Sequence, residues 1–297
     1  MIKEPMLTMN PPPCHSDRAA LPPACVALAA FLLAGCSASA GAPVAARDAI
    51  SPVSPAIADC RARLDAPHET AATGLDSRRI RLVNWNIKKK SLPNWKEDYG
   101  RLAGDRDLIL IQEASLRPET VGILPTVPHW SFAPGYQTDD AVTGVLTLSR
   151  VAPLARCSLV TLEPLLRTPK ATSITEFGLR DRRETLLVVN VHAVNFSLGM
   201  GTYRQQFAQI AAVLEGHTGP VILSGDLNTW REGRTRTIEA LAERFNLSEL
   251  GFDDDRRTQV FGRPLDHIYV RGLTAESSVT TDVTSSDHNP LSVTLSM

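Results

Sequence analysis

Aromatic residues are scarce in this sequence, at 5%, and its net charge is only −1, from 31 basic and 32 acidic side chains. A chain so balanced has no overall field to draw in polyanions, so any contact with nucleic acid must be local. No apolar run reaches the roughly 20 residues that cross a bilayer, which excludes a polytopic membrane protein. The C-x-x-C and H-E-x-x-H patterns of zinc sites are missing. So are the phosphate-cradling P-loop of nucleotide enzymes and the G-x-S-x-G elbow of serine hydrolases. No internal repeat is visible. What is present is 297 residues, 43% apolar and 21% charged, the composition of a globular protein of one large or two small domains.

The N-terminus is not expected to join the fold. Residues 24–35 form an apolar run of signal-peptide length, with Lys3 and Arg18 upstream. The run ends at Leu33-Ala34-Gly35-Cys36, which resembles a bacterial lipobox. That resemblance implies a signal peptide over 1–35, a lipid on Cys36 and a periplasm-facing location in the bacterial cell envelope. Ser37 after the cysteine points to the outer membrane. The alternative is an ordinary cleaved signal with a chance cysteine. Residues 36–78 are rich in Ala, Pro and Ser and read as a tether, with a short helix around Ala56–Leu64. The folded domain is expected over 79–297.

Within that domain strands and helices alternate. Ile80–Trp85, Leu108–Ile111, Gly144–Leu148, Thr185–Val191, Pro220–Leu223, Ile268–Val270 and Leu291–Leu295 have the apolar runs or alternation of strands. Leu92–Ala103 and Thr237–Phe245 read as helices. A third helix should start at a capping box of Thr202 and Gln205, with Tyr203, Phe207, Ile210, Ala211 and Leu214 on one face. This order suggests sheets with helices outside them.

Polar residues gather where the strands end. Ile80–Trp85 runs into Asn86, Leu108–Ile111 into Gln112 and Glu113, and Thr185–Val191 into His192, with Asn195 beyond. Val221–Leu223 runs into Ser224-Gly225-Asp226-Leu227-Asn228. Asp266 and His267 precede one late strand; Asp287 and His288 precede the last. Strand ends commonly carry sites in α/β proteins, and a carboxylate behind four buried aliphatics is costly unless paired or metal-bound. Glu113, with Asn86 or an Asp, offers hard oxygen ligands for Mg²⁺, Mn²⁺ or Ca²⁺. His192 and His288 can do acid–base work near neutral pH. A carboxylate, an amide and a metal beside a histidine are the parts of phosphoryl chemistry.

Six segments then carry a resemblance: N-W-N-I (84–87), L-I-Q-E-A (110–114), V-N-V-H (189–192), S-G-D-L-N (224–228), R-P-L-D-H-I (263–268) and S-S-D-H-N-P (285–290). In order, they resemble the motifs of the endonuclease/exonuclease/phosphatase family, the DNase I-like superfamily. N-V-H-A-V-N-F-S-L-G (190–199) and F-G-R-P-L-D (261–266) look like its YafD-type bacterial subgroup. The resemblance implies a four-layer α/β sandwich of two mixed sheets flanked by helices. It implies a Mg²⁺-dependent phosphodiesterase, most simply a nuclease, with Mn²⁺ or Ca²⁺ as other possible ions and neither zinc nor a nucleotide cofactor. Asn86 and Glu113 match metal-site positions, and Asp287 would be a further metal or water ligand. Asp226 would orient or deprotonate the attacking water. Asn228 would hydrogen-bond the phosphoryl oxygen, and His288, oriented by Asp266, would contact the scissile phosphate. His192 resembles a second histidine that needs a carboxylate partner, for which Asp139 and Asp140 are candidates. Lys170 and Asn195 would touch the substrate.

The substrate stays open at this point between nucleic acid and a phospholipid head group or sugar phosphate, and no obligate protein partner is inferred. A non-catalytic envelope lipoprotein is the reading from another class. Trp85 reads as core packing. Lys88–Lys90, and Arg231, Arg234 and Arg236, read either as solvated charge or as phosphate steering. His267 reads as structural or exposed, and Asp253–Asp255 as a solvated acidic turn. Of five cysteines, Cys14 and Cys25 leave with the signal and Cys36 takes the lipid. Cys60 and Cys157 remain, an even remainder that favours a disulfide over two unrelated thiols in an exported protein.

Overall fold

A computed structural model describes residues 50–54, 56–66, 74–116, 127–139, 141–197 and 199–297. The stretch read as a signal peptide (1–35), Cys36 and Asp140 lie outside the described residues. Two six-stranded sheets face each other. The first has the order β13-β14-β1-β2-β4-β3: Thr274–Thr280, Leu291–Ser296, Ile80–Asn86, Leu108–Leu116, Val142–Ser149 and His129–Gln137. The second has the order β5-β6-β7-β8-β12-β9: Ala155–Leu162, Pro169–Gly178, Thr185–His192, Val221–Asp226, Asp266–Arg271 and Ser248–Glu249. A small hairpin, β10 (Gln259–Val260) and β11 (Arg263–Pro264), stands apart. Helices α1 (Ile57–Leu64), α2 (Trp95–Ala103), α3 (Gly201–Leu214) and α4 (Glu232–Phe245) complete the sandwich. The parallel pairs β1–β2 and β7–β8 make both sheets mixed.

Period-two alternation builds the layers. From β1, Ile80 and Leu82 enter the core between the sheets with Leu110, Phe177, Val188 and Ile222. Val83 and Trp85 point the other way, onto Tyr99 and Leu102 of α2. Trp85 is core packing, and its Nε1 donates to the His288 carbonyl at 2.9 Å. From β7, Leu187, Val189 and Val191 pack outward on Phe207 and Ile210 of α3 and Ile238 of α4. Higher up, the inner faces turn polar. Gln112 Nε2 donates to Asn84 Oδ1 (2.8 Å) and Asn190 Oδ1 (2.6 Å), tying the two sheets together beneath the strand ends.

Some elements differ from the sequence reading. Helix α3 begins at Gly201 with Met200 at its N-cap and no side-chain cap. The chain turns helical one residue before Thr202, so the capping box does not form. Helix α4 starts five residues earlier than its apolar pattern, at Glu232. Strands β3, β5, β6 and β13 were not legible.

Part of the stretch read as a tether is folded. Ser51 N donates to Phe132 O on β3 (2.8 Å), and Ser54 N to Ser158 O on β5 (2.9 Å). The segment 50–54 thus pairs with one edge strand of each sheet and covers backbone groups those edges would otherwise expose. Helix α1 follows, and Cys60, buried on it, is bonded to Cys157 of β5, with Cα atoms 5.5 Å apart. The bridge closes a loop of 97 residues, for which chain entropy gives an upper figure of about 4–5 kcal/mol. Cys60→Ser should therefore lower the unfolding free energy by about 2–4 kcal/mol, read from urea midpoints without reductant. The unreduced, denatured wild type should show neither residue reacting as a free thiol; two reactive thiols would refute the bridge.

Candidate active site

Strand register assembles the centre. His192, Asp226 and Asp266 sit side by side on β7, β8 and β12, as direct partners across the second sheet. Opposite them, Asn86 ends β1. Simple alternation would send Gln112 and Glu113 to opposite faces of β2. A bulge between Ile111 and Ala114, with Glu113 in the left-handed region at φ 52°, turns the Glu113 carboxylate into the site. Its Oε1 lies 3.8 Å from His192 Nε2. Such backbone strain at a bulge is a feature of functional sites.

Asp226 is buried at the middle. Asn86 Nδ2 donates to its Oδ2 (3.0 Å) and Asn228 N to its Oδ1 (3.1 Å). Two histidines flank it, with His192 Nε2 at 3.7 Å and His288 Nε2 at 4.0 Å. His288 Nδ1 is 2.6 Å from Asp266 Oδ2. Burial, together with the Asp266 charge, pushes the Asp226 carboxyl up to about 6 against the pull of His288. Burial works to lower His288, but the Asp266 and Asp226 carboxylates outweigh it and raise the imidazole to about 10. Burial, with Lys170 close by, takes His192 well below its ordinary value. At neutral pH His288 is therefore cationic and His192 neutral. Lys170 Nζ donates to His192 Nε2 at 3.1 Å, which leaves the ring proton on Nδ1.

Other expected residues fall less centrally. Among the described residues, the carboxylates within 4 Å of His192 are Glu113 and Asp226; Asp139 is exposed in the turn after β3. Asp287 is half-exposed and pairs with Lys88 at 3.0 Å, outside the cluster. Asn228 is buried and its Nδ2 donates to Ala193 O (3.1 Å). Asn195 Oδ1 accepts from Trp230 Nε1 (3.0 Å). His267 is buried and structural, bound to Glu249 at 2.7 Å, and Asp253–Asp255 are exposed or nearly so.

Two buried residues support the site: Arg234, read from sequence as solvated or steering, and Glu163, not singled out there. Arg234 is completely buried beneath the loops. It donates to Asn228 O (2.9 Å) and Asn195 O (2.5 Å) and lies over the Trp230 and Tyr203 rings. It is neither solvated nor steering, unlike exposed Arg236, which pairs with Glu232. Glu163 Oε1, also buried, accepts from the backbone N–H groups of Asn195 and Phe196, both at 2.7 Å. Together they fix the loop after β7.

The donor set suits a hard divalent cation. The Glu113 carboxylate lies beside the Asp226 centre with no thiol nearby, and Asn86 gives its Nδ2 to Asp226 while its amide oxygen accepts from Lys88 N (3.1 Å). Asp226, Asp266 and His288 also present ligand atoms within 4.8 Å of one another, but the 2.6 Å bond between Asp266 and His288 occupies that group internally.

The chain is 39% identical over 215 residues to a UPF0294 protein of Photorhabdus laumondii, covering 72% of this chain and 82% of that one. Its fold resembles that of an endonuclease/exonuclease/phosphatase from Beutenbergia cavernae, with a TM-score of 0.56 at 15% identity over 74% of this chain and 72% of that one. It likewise resembles one from Bacteroides vulgatus, with a TM-score of 0.56 at 18% identity over 74% and 99%. The sequence profile of the Endonuclease/Exonuclease/phosphatase family matches residues 83–288, a span that runs from β1 to His288, and the chain belongs to that family.

Proposed function

We propose that this protein is a divalent-metal-dependent phosphodiesterase, most simply a nuclease, held in a bacterial envelope by a lipid on Cys36. The observation that carries the catalytic part is the row of His192, Asp226 and Asp266 in register, closed by His288 and Glu113. Asp226 orients the attacking water and takes its proton. Cationic His288, held by Asp266, donates to an oxygen of the phosphoryl group as charge builds there. Asn228, Lys170 and Asn195 contact the other oxygens, and neutral His192 positions Lys170. Glu113 and Asn86 would hold Mg²⁺, Mn²⁺ or Ca²⁺, which supplies positive charge beside the phosphoryl oxygens when bound. Asp287 would reach the site through water.

A lipid phosphodiester is the second reading. The loops around the site expose Leu165, Leu166, Phe196 and Phe261, the last to 84%. Turnover of plasmid DNA, RNA, sphingomyelin and bis(p-nitrophenyl) phosphate in Mg²⁺ tests both readings. Cleavage of nucleic acid and the generic diester supports the first, sphingomyelin alone the second, and none of the four defeats both.

The buried Cys60–Cys157 bridge fits an exported protein, since such bonds persist in oxidising compartments. Cys36→Ser should move the protein from the membrane fraction to the soluble periplasmic extract. Retention of the variant on membranes after a salt wash would defeat the lipid anchor.

A further inference from the structure

Alternation along β12 turns His267 away from the centre that Asp266 joins. There it stands between a carboxylate and a hydroxyl. Its Nδ1 is 2.7 Å from Glu249 Oε1, and its Nε2 is 2.6 Å from Thr229 Oγ1. Glu249 pairs with Tyr269 across the edge strand β9 and is itself braced. Arg257 Nη1 donates to its Oε1 (2.8 Å), and the Tyr269 hydroxyl to its Oε2 (3.3 Å). Carboxylate, imidazole and hydroxyl in that order are the parts that activate a nucleophile. Thr229 and His267 are only 1% and 4% exposed, so no substrate reaches the hydroxyl, and the trio performs no chemistry of its own.

What it touches is the loop after β8. Asn228 there has a left-handed backbone at φ 50°, a conformation that asparagine adopts more readily than most residues. Two ties flank it, and both end on the segment that leads into β12. On one side Leu227 N donates to Leu265 O (2.9 Å). On the other the Thr229 hydroxyl donates to Pro264 O, and His267 Nε2 lies 3.2 Å from the same carbonyl oxygen. The first tie is main chain to main chain. The second depends on a side chain, and His267 fixes where that side chain stands. Between the two ties, Asn228 N donates to Asp226 Oδ1 at 3.1 Å. The shape of this loop therefore sets both the Asn228 amide and one of the hydrogen bonds on the Asp226 carboxylate.

We propose that Thr229 and His267 are positioning residues: braced by Glu249, they hold Asn228 and Asp226 in the geometry of the phosphoryl reaction. The inference rests on the phosphodiesterase reading, in which those two residues meet the phosphoryl oxygen and the attacking water. Thr229 and His267 act through them and touch no substrate. Without the Thr229 hydroxyl the loop relaxes from its left-handed turn, and small displacements of reacting groups are costly in rate.

The test is kcat and KM in Mg²⁺ on bis(p-nitrophenyl) phosphate, or on plasmid DNA, RNA or sphingomyelin where the wild type cleaves only those, with urea midpoints alongside. Thr229→Val keeps the side-chain shape without the hydroxyl and should lower kcat by about 10–100-fold, with KM within about threefold of wild type. Thr229→Ser returns the hydroxyl and should restore kcat to within about threefold of wild type. His267→Phe keeps a ring without its nitrogens and should lower kcat as Thr229→Val does. The double variant should fall no more than about threefold below the slower single one, because both remove the same tie. If His267→Phe fails to fold, the valine and serine variants decide alone. Wild-type kcat in Thr229→Val overturns the inference, whatever its urea midpoint. A serine variant as slow as the valine one, a loss confined to KM, or single losses that multiply in the double variant overturn it as well. All of these leave the phosphodiesterase reading intact. A wild type that cleaves none of the substrates overturns that reading and the inference with it.

Discussion

Asp226→Asn should cut kcat on bis(p-nitrophenyl) phosphate by on the order of 10²–10⁴-fold, the usual loss when a general base is removed. The side chain stands between His192 at 3.7 Å and His288 at 4.0 Å, gripped by Asn86 and Asn228. The amide keeps the shape and loses both the charge that orients water and the capacity to accept its proton. Stability should move the other way. Burial raises the Asp226 carboxyl to about 6 from its ordinary 3.8, so the folded state holds a proton that the unfolded chain has released. For such a group, stability falls as pH rises from about 4 through 6. The variant lacks this penalty, and its melting temperature should equal or exceed that of the wild type, with the gap widening from pH 4 to pH 7. The measurements are a pH series of thermal melts beside steady-state turnover. Activity within threefold of wild type would remove Asp226 from the chemistry.

The parts of this site that were legible are those that lie on regular strands. Asn86, His192 and Asp226 each follow an apolar run and Asp266 precedes one, and alternation alone puts them above the inner core. Glu113 was legible as a residue type but not in its aim, because the bulge that redirects it leaves no trace in hydrophobic pattern. Strand β6, with Thr172, Ser173 and Thr175 in place of an apolar run, was missed because part of its polar surface belongs to the interface between the sheets. There Ser173 meets Thr147, and Asn190 bonds Thr147 in turn. Strand β13 was missed because it is a polar edge, exposed along much of its length. Arg234 looks like any surface arginine in sequence. Its burial depends on Tyr203 and Trp230 meeting around it, from α3 and from the loop after β8. The pairing of Cys60 with Cys157 was accessible from parity. The strand-like contacts of 50–54 were not, since Ala-, Pro- and Ser-rich sequence has no alternation to reveal them.

Gly225 carries a constraint of another kind, and Gly225→Ala should destabilise the fold by about 3 kcal/mol or more, at the upper end of overpacking costs. The residue precedes Asp226 on β8 and pairs with Val191 of β7 and His267 of β12, so both flanks are occupied by backbone. Its φ is +146°, a conformation L side chains rarely adopt, and a Cβ would stand 1.9 Å from the Val191 carbonyl oxygen. No side-chain rotation relieves a clash between Cβ and main chain. The strand must shift, and β7 carries His192 one residue beyond Val191. Any variant that folds should thus lose turnover as well, because the spacing of His192 and Asp226 is set by this pairing. The glycine of S-G-D-L-N accordingly serves packing, bringing two strands close enough for their terminal side chains to share one substrate. Urea unfolding of the alanine variant measures the first effect and turnover of its folded fraction the second. A loss of stability below about 1 kcal/mol, less than a typical overpacking cost, would show that β7 and β8 can separate without harm.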